Sequence, residues 1–172
     1  MGAIQVYSEI NQGTTIKVLL PISETQSEPE PKSETRFNPK KWAGGTVLIV
    51  DDEETVHKVA RRMFDRLGLA TRSANDGIEA LDVLQQGQEE IVCVLLDLTM
   101  PNMGGAETYR EIRKRFGALP VILTSGYNHQ DAVHQFAGKG LAGFVQKPFQ
   151  ISDLRKALAQ VLNDQETGAD GT

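Results

Sequence analysis

Short apolar runs alternate with amphipathic stretches along residues 45–163. The runs at 46–50, 69–73, 91–96, 121–124 and 142–145 have the length and composition of β-strands, and a helical pattern follows each of them. The first helical pattern places apolar residues at Val56, Val59, Ala60, Met63 and Leu67, and the last places them at Leu154, Ala157, Leu158 and Val161. Several of these strands lack polar alternation, which is typical of a sheet covered on both faces. The pattern therefore predicts an α/β domain with a doubly wound, five-stranded parallel sheet.

The residues before this domain follow a different pattern. Two β-like runs at 4–8 and 14–20 flank a short polar connection, which predicts a β-hairpin. Residues 22–44 are rich in Ser, Glu, Pro and Lys and predict a flexible linker. We therefore divide the chain into a hairpin segment at 1–21, the linker at 22–44, the α/β domain at 45–163 and a disordered acidic tail at 164–172.

Composition and charge exclude several classes of protein. The 172 residues include 18 Lys and Arg against 23 Asp and Glu, a net charge of −5, and the basic residues form no cluster of the kind that binds nucleic acid. No apolar run approaches the ~18 residues of a membrane-spanning helix, and no secretory leader is evident. We predict a cytoplasmic chain without nucleic-acid or membrane contact. Its single cysteine, Cys93, lies within an apolar run and is expected to be buried.

Polar residues stand where the predicted strands end. Asp51 and Asp52 follow the first strand, Asp97 ends the third, Ser125 follows the fourth and Lys147 follows the fifth. The carboxyl ends of parallel strands share one edge of the sheet, so these side chains should converge. Two charges ~4 Å apart repel by about 4 kcal/mol at an effective dielectric constant of ~20, so the carboxylates need a cation. Oxygen ligands favour Mg²⁺ (or Mn²⁺), and the whole set suits phosphoryl transfer to an aspartate.

Four segments carry a resemblance to a known family. They are VLIVDDE at 47–53, LLDLTMP at 95–101, TSG at 124–126 and GFVQKPF at 143–149, and ANDGIEAL at 74–81 supports them. Together they resemble the response-regulator receiver domain of two-component signalling over residues 46–163. The resemblance implies a flavodoxin-like receiver fold of five βα units. It also implies transfer of a phosphoryl group from a phosphohistidine to an aspartate, followed by slow self-dephosphorylation.

The resemblance also assigns roles to individual residues. It implies that Asp97 is the phospho-acceptor, and that Asp51, Asp52, Asp97 and the backbone carbonyl of Thr99 hold the metal ion. It implies that Ser125 and Lys147 bind phosphoryl oxygens, that Ser125 and Phe144 form the conformational switch, and that Thr99 and Tyr127 tune the phosphoryl lifetime. The family usually has a cis bond before the proline at position 148.

The hairpin segment carries a second, shorter resemblance. GAIQVYSE at 2–9 and GTTIKVLLP at 13–21 resemble the end of a histidine-kinase ATP-binding domain, although Asn11 stands where that family commonly has glycine. No kinase histidine box surrounds His57, His129 or His134, and we expect these to be surface residues. The resemblance implies that the chain is the C-terminal part of a hybrid sensor histidine kinase. It implies no kinase activity in this fragment, and it allows the full-length parent to be anchored in a membrane.

The resemblance implies particular partners. They are the phosphohistidine of a histidine kinase or of a His-containing phosphotransfer protein. It also allows a weak homodimer through the fourth helix, fifth strand and fifth helix.

Three other interpretations compete with the phospho-accepting receiver. A haloacid-dehalogenase-type phosphatase would need an aspartate two positions after the nucleophile, where this chain has Thr99. A nucleotide- or flavin-binding module would need a glycine-rich loop after the first strand, where this chain has acidic residues. A receiver that binds partners without being phosphorylated stays open as the alternative.

Overall fold

The computed structural model describes residues 3–10, 12–19, 44–126, 136 and 141–167, with side chains up to Val161. The chain divides into two compact units, Met1–Glu34 and Thr35–Thr172. In the first unit, β1 (Ala3–Glu9) and β2 (Gly13–Leu19) pair antiparallel as the predicted hairpin. Gly13 opens β2 with a φ of 105°, a left-handed conformation that glycine adopts without steric cost. The predicted linker falls almost wholly within residues 20–43, outside the described residues, so its bounds stay a prediction.

The second unit contains the predicted five-stranded sheet. Its strands are β3 (Thr46–Val50), β4 (Ala70–Ala74), β5 (Ile91–Asp97), β6 (Val121–Ser125) and β7 (Gly143–Gln146). They lie in the order β4-β3-β5-β6-β7, and every neighbouring pair is parallel. Each boundary falls within one residue of the predicted one. All five residues of β3 are buried, as expected for a central strand covered on both faces.

Helices cover both faces of this sheet. They are α1 (Glu54–Arg66), α2 (Gly77–Gly87), α3 (Gly105–Phe116) and α4 (Ile151–Thr167), with a 3₁₀ turn at Gln88–Glu90. The helix predicted between β6 and β7 falls mostly on residues 127–135 and 137–140, which lie outside the described residues, and Phe136 is helical. The last helix continues to Thr167, so residues 164–167, which were predicted to be disordered, are helical. The domain boundary at 163 stays a prediction.

The buried apolar side chains form two clusters, one on each side of the sheet. One contains Ile49, Phe64, Leu95, Leu154 and Leu158, and therefore joins α1 and α4 to the sheet. The other contains Leu48, Leu84, Leu96, Tyr109 and Ile112, and joins α2 and α3 to the opposite face. Successive residues of a strand point to opposite faces, so the continuous apolar runs of β3 and β5 supply both clusters. The doubly wound α/β fold is thus confirmed.

The buried face of α1 differs from the predicted one. Its buried residues are His57, Ala60 and Phe64, whereas Val59 is 47% exposed. The prediction that His57 is a surface residue was therefore wrong. The helix is rotated about its axis relative to the expected stripe, so a histidine lies on the core side and a valine faces outward.

Cys93 provides a test of the rigidity of the central sheet. It lies in β5 with no exposed surface, as expected, and burial raises the pKa of its thiol to about 12. At pH 8 such a thiol carries roughly a thousandfold less thiolate than a free cysteine of pKa about 8.5. We expect the native chain to react with Ellman's reagent at least ~1,000-fold more slowly than the urea-unfolded chain. Comparable rates in the two states would show that β5 opens readily.

Candidate functional site

The strand order places a crevice between β3 and β5. The connection after β3 leads to β4 on one side, and the connection after β5 leads to β6 on the other side. The two connections therefore diverge. Ligands of open α/β sheets bind outside the carboxyl ends of strands at such a point. Here β3 is followed directly by Asp51, and β5 ends at Asp97. The topology therefore brings together carboxylates that are far apart in the sequence.

Three carboxylates form a cluster in this crevice. One oxygen from each of Asp51, Asp52 and Asp97 lies within 4.8 Å of the others. Asp51 and Asp97 are buried, with relative exposures of 2% and 4%, and Asp52 is exposed. The convergence predicted from the strand ends is therefore present. An oxygen-only donor set with one solvent-facing member suits a hard divalent cation that retains water, such as Mg²⁺.

Lys147 lies between two of these carboxylates. Its Nζ is 2.6 Å from Asp51 Oδ2 and 3.1 Å from Asp97 Oδ1. Burial by itself lowers the pKa of Lys147, but the hydrogen bond to Asp51 and the charge of Asp97 outweigh it and raise that pKa. The ammonium group is therefore held in its charged form beside Asp97. The Lys147–Pro148 peptide bond is cis, as the resemblance implied.

Asp97 is a buried acid, and the positive charge of Lys147 lies beside its carboxylate. Its Oδ2 accepts a hydrogen bond from the Thr99 N–H at 3.2 Å, and its Oδ1 lies 3.5 Å from the Thr124 hydroxyl. Burial raises the pKa of Asp97, while Lys147 lowers it and the charge of Asp51 raises it further. Burial dominates, so the carboxyl group has an elevated pKa and depends on nearby positive charge to stay ionised.

Ser125 and Phe144 lie on neighbouring strands, and Ser125 ends the strand next to β5. Ser125 is the last residue of β6 and is buried, and its carbonyl accepts a hydrogen bond from the Lys147 N–H at 2.9 Å. Phe144 lies in β7 opposite Leu123 and is only partly buried. Thr99 is exposed next to Asp97, whereas Tyr127 lies outside the described residues.

The loop that follows Asp97 is tied to the rest of the domain. The Gly105 N–H donates to Leu98 O at 3.2 Å, and Asn102 Nδ2 donates to Asp76 Oδ2 at 2.8 Å. Asp76 also accepts from the Glu79 N–H and so caps α2; this hydrogen bond and the one from Asn102 lower the pKa of Asp76. The segment carrying the Thr99 carbonyl is thus held by a contact between two loops.

Sequence reasoning missed two side chains at the site. Thr124 precedes the predicted Ser125 and directs its hydroxyl toward Asp97. His57 is buried, and its Nε2 lies 2.6 Å from the backbone carbonyl of Asp51. A signal for His57 existed, because positions 57, 60, 64 and 67 also follow helical spacing and are all buried. The more apolar stripe through Val59 concealed it.

The fold and the site define a doubly wound α/β domain with an acidic pocket at its topological switch point. Residues 47–159 match the family model of the response regulator receiver domain. The chain therefore belongs to this family and is a receiver domain of two-component signalling. Within the described part of the chain, no helix is long and apolar enough to cross a membrane.

One curated relative is the sensor kinase CckA of Brucella abortus (strain 2308). It is 30% identical over 171 residues, an alignment that covers 96% of this chain. The same alignment covers 18% of the relative, so this chain spans less than a fifth of that protein's length.

Solved structures share the fold. The CheX-CheY-BeF3-Mg+2 complex from Borrelia burgdorferi matches with a TM-score of 0.68 and 28% identity, over 76% of this chain and 98% of that one. The chemotaxis protein CheY4 of Vibrio cholerae matches with a TM-score of 0.63 and 26% identity, over 69% of this chain and 99% of that one.

Proposed function

We propose that Asp97 accepts a phosphoryl group from the phosphohistidine of a histidine kinase or a His-containing phosphotransfer protein. The observation that carries this proposal is the arrangement of Lys147, whose Nζ lies 2.6 Å from Asp51 and 3.1 Å from Asp97 at the edge of a three-carboxylate cluster. This arrangement combines a nucleophilic carboxylate, cation ligands and a fixed positive charge. These are the components of phosphoryl transfer to an aspartate.

The metal ligands in this proposal are the carboxylates of Asp51, Asp52 and Asp97 and the backbone carbonyl of Thr99. They are all oxygen donors, which suits Mg²⁺ or Mn²⁺. A bound ion would supply positive charge for the phosphoryl oxygens and would lower the repulsion between the carboxylates.

Asp97, Lys147 and Ser125 have different roles in the phosphoryl transfer. A carboxylate oxygen of Asp97 forms the new bond to phosphorus as the phosphorus–nitrogen bond of the donor breaks, and the electron pair of that bond stays on the imidazole nitrogen. The Lys147 ammonium lies beside Asp97 and neutralises one phosphoryl oxygen. Ser125, at the end of the adjacent strand, donates its hydroxyl to another. Preorganised donors of this kind typically contribute about 10²–10³ in rate each.

The direct test is intact mass measurement after incubation with acetyl phosphate and Mg²⁺. We expect the gain of one phosphoryl group, and no gain when EDTA removes the divalent ion, because three carboxylates would then repel the incoming phosphoryl oxygens. Addition of excess Mg²⁺ should restore the reaction. No gain with any phosphodonor would overturn the proposal and favour the alternative, a receiver that only binds partners.

Ser125→Ala is expected to separate phosphorylation from switching. The variant should still accept the phosphoryl group, because Asp97 and Lys147 are unchanged. It should not draw the end of β6 inward, because the hydroxyl that would bind the phosphoryl oxygen is gone. The space that Phe144 would fill then does not open. We expect the beryllofluoride-induced change in the Phe144 amide chemical shift to fall to a small fraction of its normal value.

Ser73→Ala is the matched control for this variant. Ser73 also has a buried hydroxyl, but it lies on the edge strand β4 at the far side of the sheet. This control should respond to beryllofluoride like the unmodified chain. A normal Phe144 response in Ser125→Ala would refute the proposed switch.

Thr99 and Tyr127 complete the proposal as residues that tune the phosphoryl lifetime. Thr99 is exposed beside Asp97 and flanks the approach of hydrolytic water. The role of Tyr127 stands on the family resemblance alone.

The hairpin and the receiver suit the C-terminal part of a hybrid sensor histidine kinase, located in the cytoplasm. Support comes from the alignment with a sensor kinase, which extends over 96% of this chain and so includes residues before the receiver. In such a protein, the phosphoryl group passes between a histidine and Asp97. The proposed face for a weak homodimer or a downstream partner consists of the exposed residues of β7 and α4 and the helix predicted between β6 and β7, which lies almost wholly outside the described residues.

A further inference from the structure

We propose that His57 is a positioning residue for the acidic pair Asp51 and Asp52, which acts by fixing the peptide that joins them. The inference rests on the proposed metal-binding role of these carboxylates. Its basis is a buried hydrogen bond between the His57 ring and the main chain at the edge of the site. His57 is 4% exposed, and its Nε2 lies 2.6 Å from the backbone carbonyl oxygen of Asp51.

The direction of this hydrogen bond follows from the chemistry of the two groups. A carbonyl oxygen can only accept, so the hydrogen lies on Nε2. The other ring nitrogen, Nδ1, is buried and has no hydrogen-bond partner among the residues that the structure describes. A buried polar atom without a partner destabilises the folded state. An apolar side chain would fill this space without that penalty. The contribution specific to the imidazole ring is therefore its single directed hydrogen bond.

The hydrogen bond between His57 and Asp51 lies just beyond the last residue pair of β3 and β5. The pairing of β3 with β5 ends at Val50 and Leu96, and Asp51 lies one residue further on. The Asp51 N–H still donates to Ala74 O at 3.1 Å, whereas its carbonyl is held by His57. The partner of that carbonyl therefore comes from α1, at a residue one turn after the start of the helix.

The held carbonyl belongs to the peptide between the two acidic residues. The Asp51 side chain has further anchors, because Oδ1 accepts from the Glu53 N–H at 3.0 Å and Oδ2 pairs with Lys147. Asp52 is exposed at the mouth of the crevice. The orientation of the Asp51–Asp52 peptide sets the direction in which the Asp52 side chain leaves the main chain. Loss of the His57 hydrogen bond should therefore act mainly by letting Asp52 move away from the cluster.

The test compares His57→Leu with His57→Gln. Leucine keeps a buried side chain of comparable size but removes the donor, whereas the side-chain amide of glutamine places an N–H close to the position of Nε2. Partners that orient metal ligands typically contribute about 10–100-fold to metal affinity. We expect Mg²⁺ binding to weaken at least ~10-fold in His57→Leu and to stay within about threefold of the unmodified chain in His57→Gln.

The measurement is an NMR titration with Mg²⁺ in the absence of any phosphodonor, following the amides of Asp52 and Thr99. Phe64→Leu is the matched control, because it perturbs the buried face of the same helix without touching the site. It should bind Mg²⁺ normally. If His57→Leu does not fold, His57→Asn replaces it with the same expectation, since the asparagine amide stops short of Nε2.

The outcomes separate this inference from the proposed function. Normal Mg²⁺ binding by His57→Leu would overturn the positioning role and leave the proposed function intact. Equal weakening in His57→Gln or Phe64→Leu would also overturn it, because ring shape or helix stability would then explain the effect. Failure of the unmodified chain to bind Mg²⁺ would overturn the metal site and the inference together.

Discussion

The Asp97→Asn variant is expected to accept no phosphoryl group from acetyl phosphate and Mg²⁺, whereas the unmodified chain gains one. An amide oxygen is a far weaker nucleophile than a carboxylate and cannot form the acyl phosphate. The replacement is nearly isosteric, so the neighbouring Lys147 keeps its contact with Asp51. The loss should therefore be chemical, and intact mass measurement over the full time course detects it directly.

The stability of Asp97→Asn distinguishes loss of chemistry from loss of structure. Burial raises the pKa of Asp97 in the folded chain, so folding favours its protonated form. Above that raised pKa, the ionised carboxylate reduces the free energy of unfolding, and this cost is absent at low pH. Asparagine carries no charge to bury. In Mg²⁺-free buffer at pH 7 we therefore expect the free energy of unfolding, measured with urea, to be equal or higher in the variant.

Asp82→Asn is the matched control for this experiment. Asp82 is exposed on α2, outside the acidic cluster, and its replacement removes the same charge. This variant should gain the phosphoryl group at a normal rate. A phosphoryl gain in Asp97→Asn would move the acceptor to another carboxylate of the cluster.

Gly105→Ala is expected to destabilise the receiver by about 2 kcal/mol or more, within the range of severe overpacking. Gly105 begins α3 directly against the end of β5. A Cβ at this position would lie 2.1 Å from Asp97 O and 2.7 Å from Leu98 Cα. Both atoms belong to the backbone, so a side-chain rotation cannot relieve the contact. Either α3 or the segment carrying Asp97 must shift, and the rate of phosphorylation should fall with stability.

The neighbouring glycine offers a control one residue away. A Cβ at Gly104 would meet nothing closer than Leu98 O at 3.8 Å, an ordinary van der Waals contact. Gly104 has an extended conformation with φ −71°, which alanine adopts without strain. We expect Gly104→Ala to change the free energy of unfolding by about 1 kcal/mol at most, since only the helix N-cap is altered. Equal unfolding curves for the two variants would contradict the close approach of α3 to β5.

Much of the domain could be predicted from local patterns. Strand length, apolar content and helix periodicity are properties of short segments, and they located β3 to β7 within a residue of their observed bounds. Strand ends in a parallel sheet share an edge, so the sequence is enough to place Asp51, Asp97 and Lys147 in one crevice. The burial of Cys93 followed from the same apolar run.

The sequence by itself thus determined the fold class and the membership of the acidic cluster. The tertiary structure decided how side chains meet within it, including the position of Lys147 between two carboxylates and the hydroxyl of Thr124 beside Asp97. It also decided the rotation of α1, which buries His57 and exposes Val59. The spacing of apolar residues shows that a segment is an amphipathic helix, but it defines less sharply which face of that helix is buried. That rotation depends on the surfaces of β3 and β4 against which α1 packs, and they meet the helix only when the chain folds.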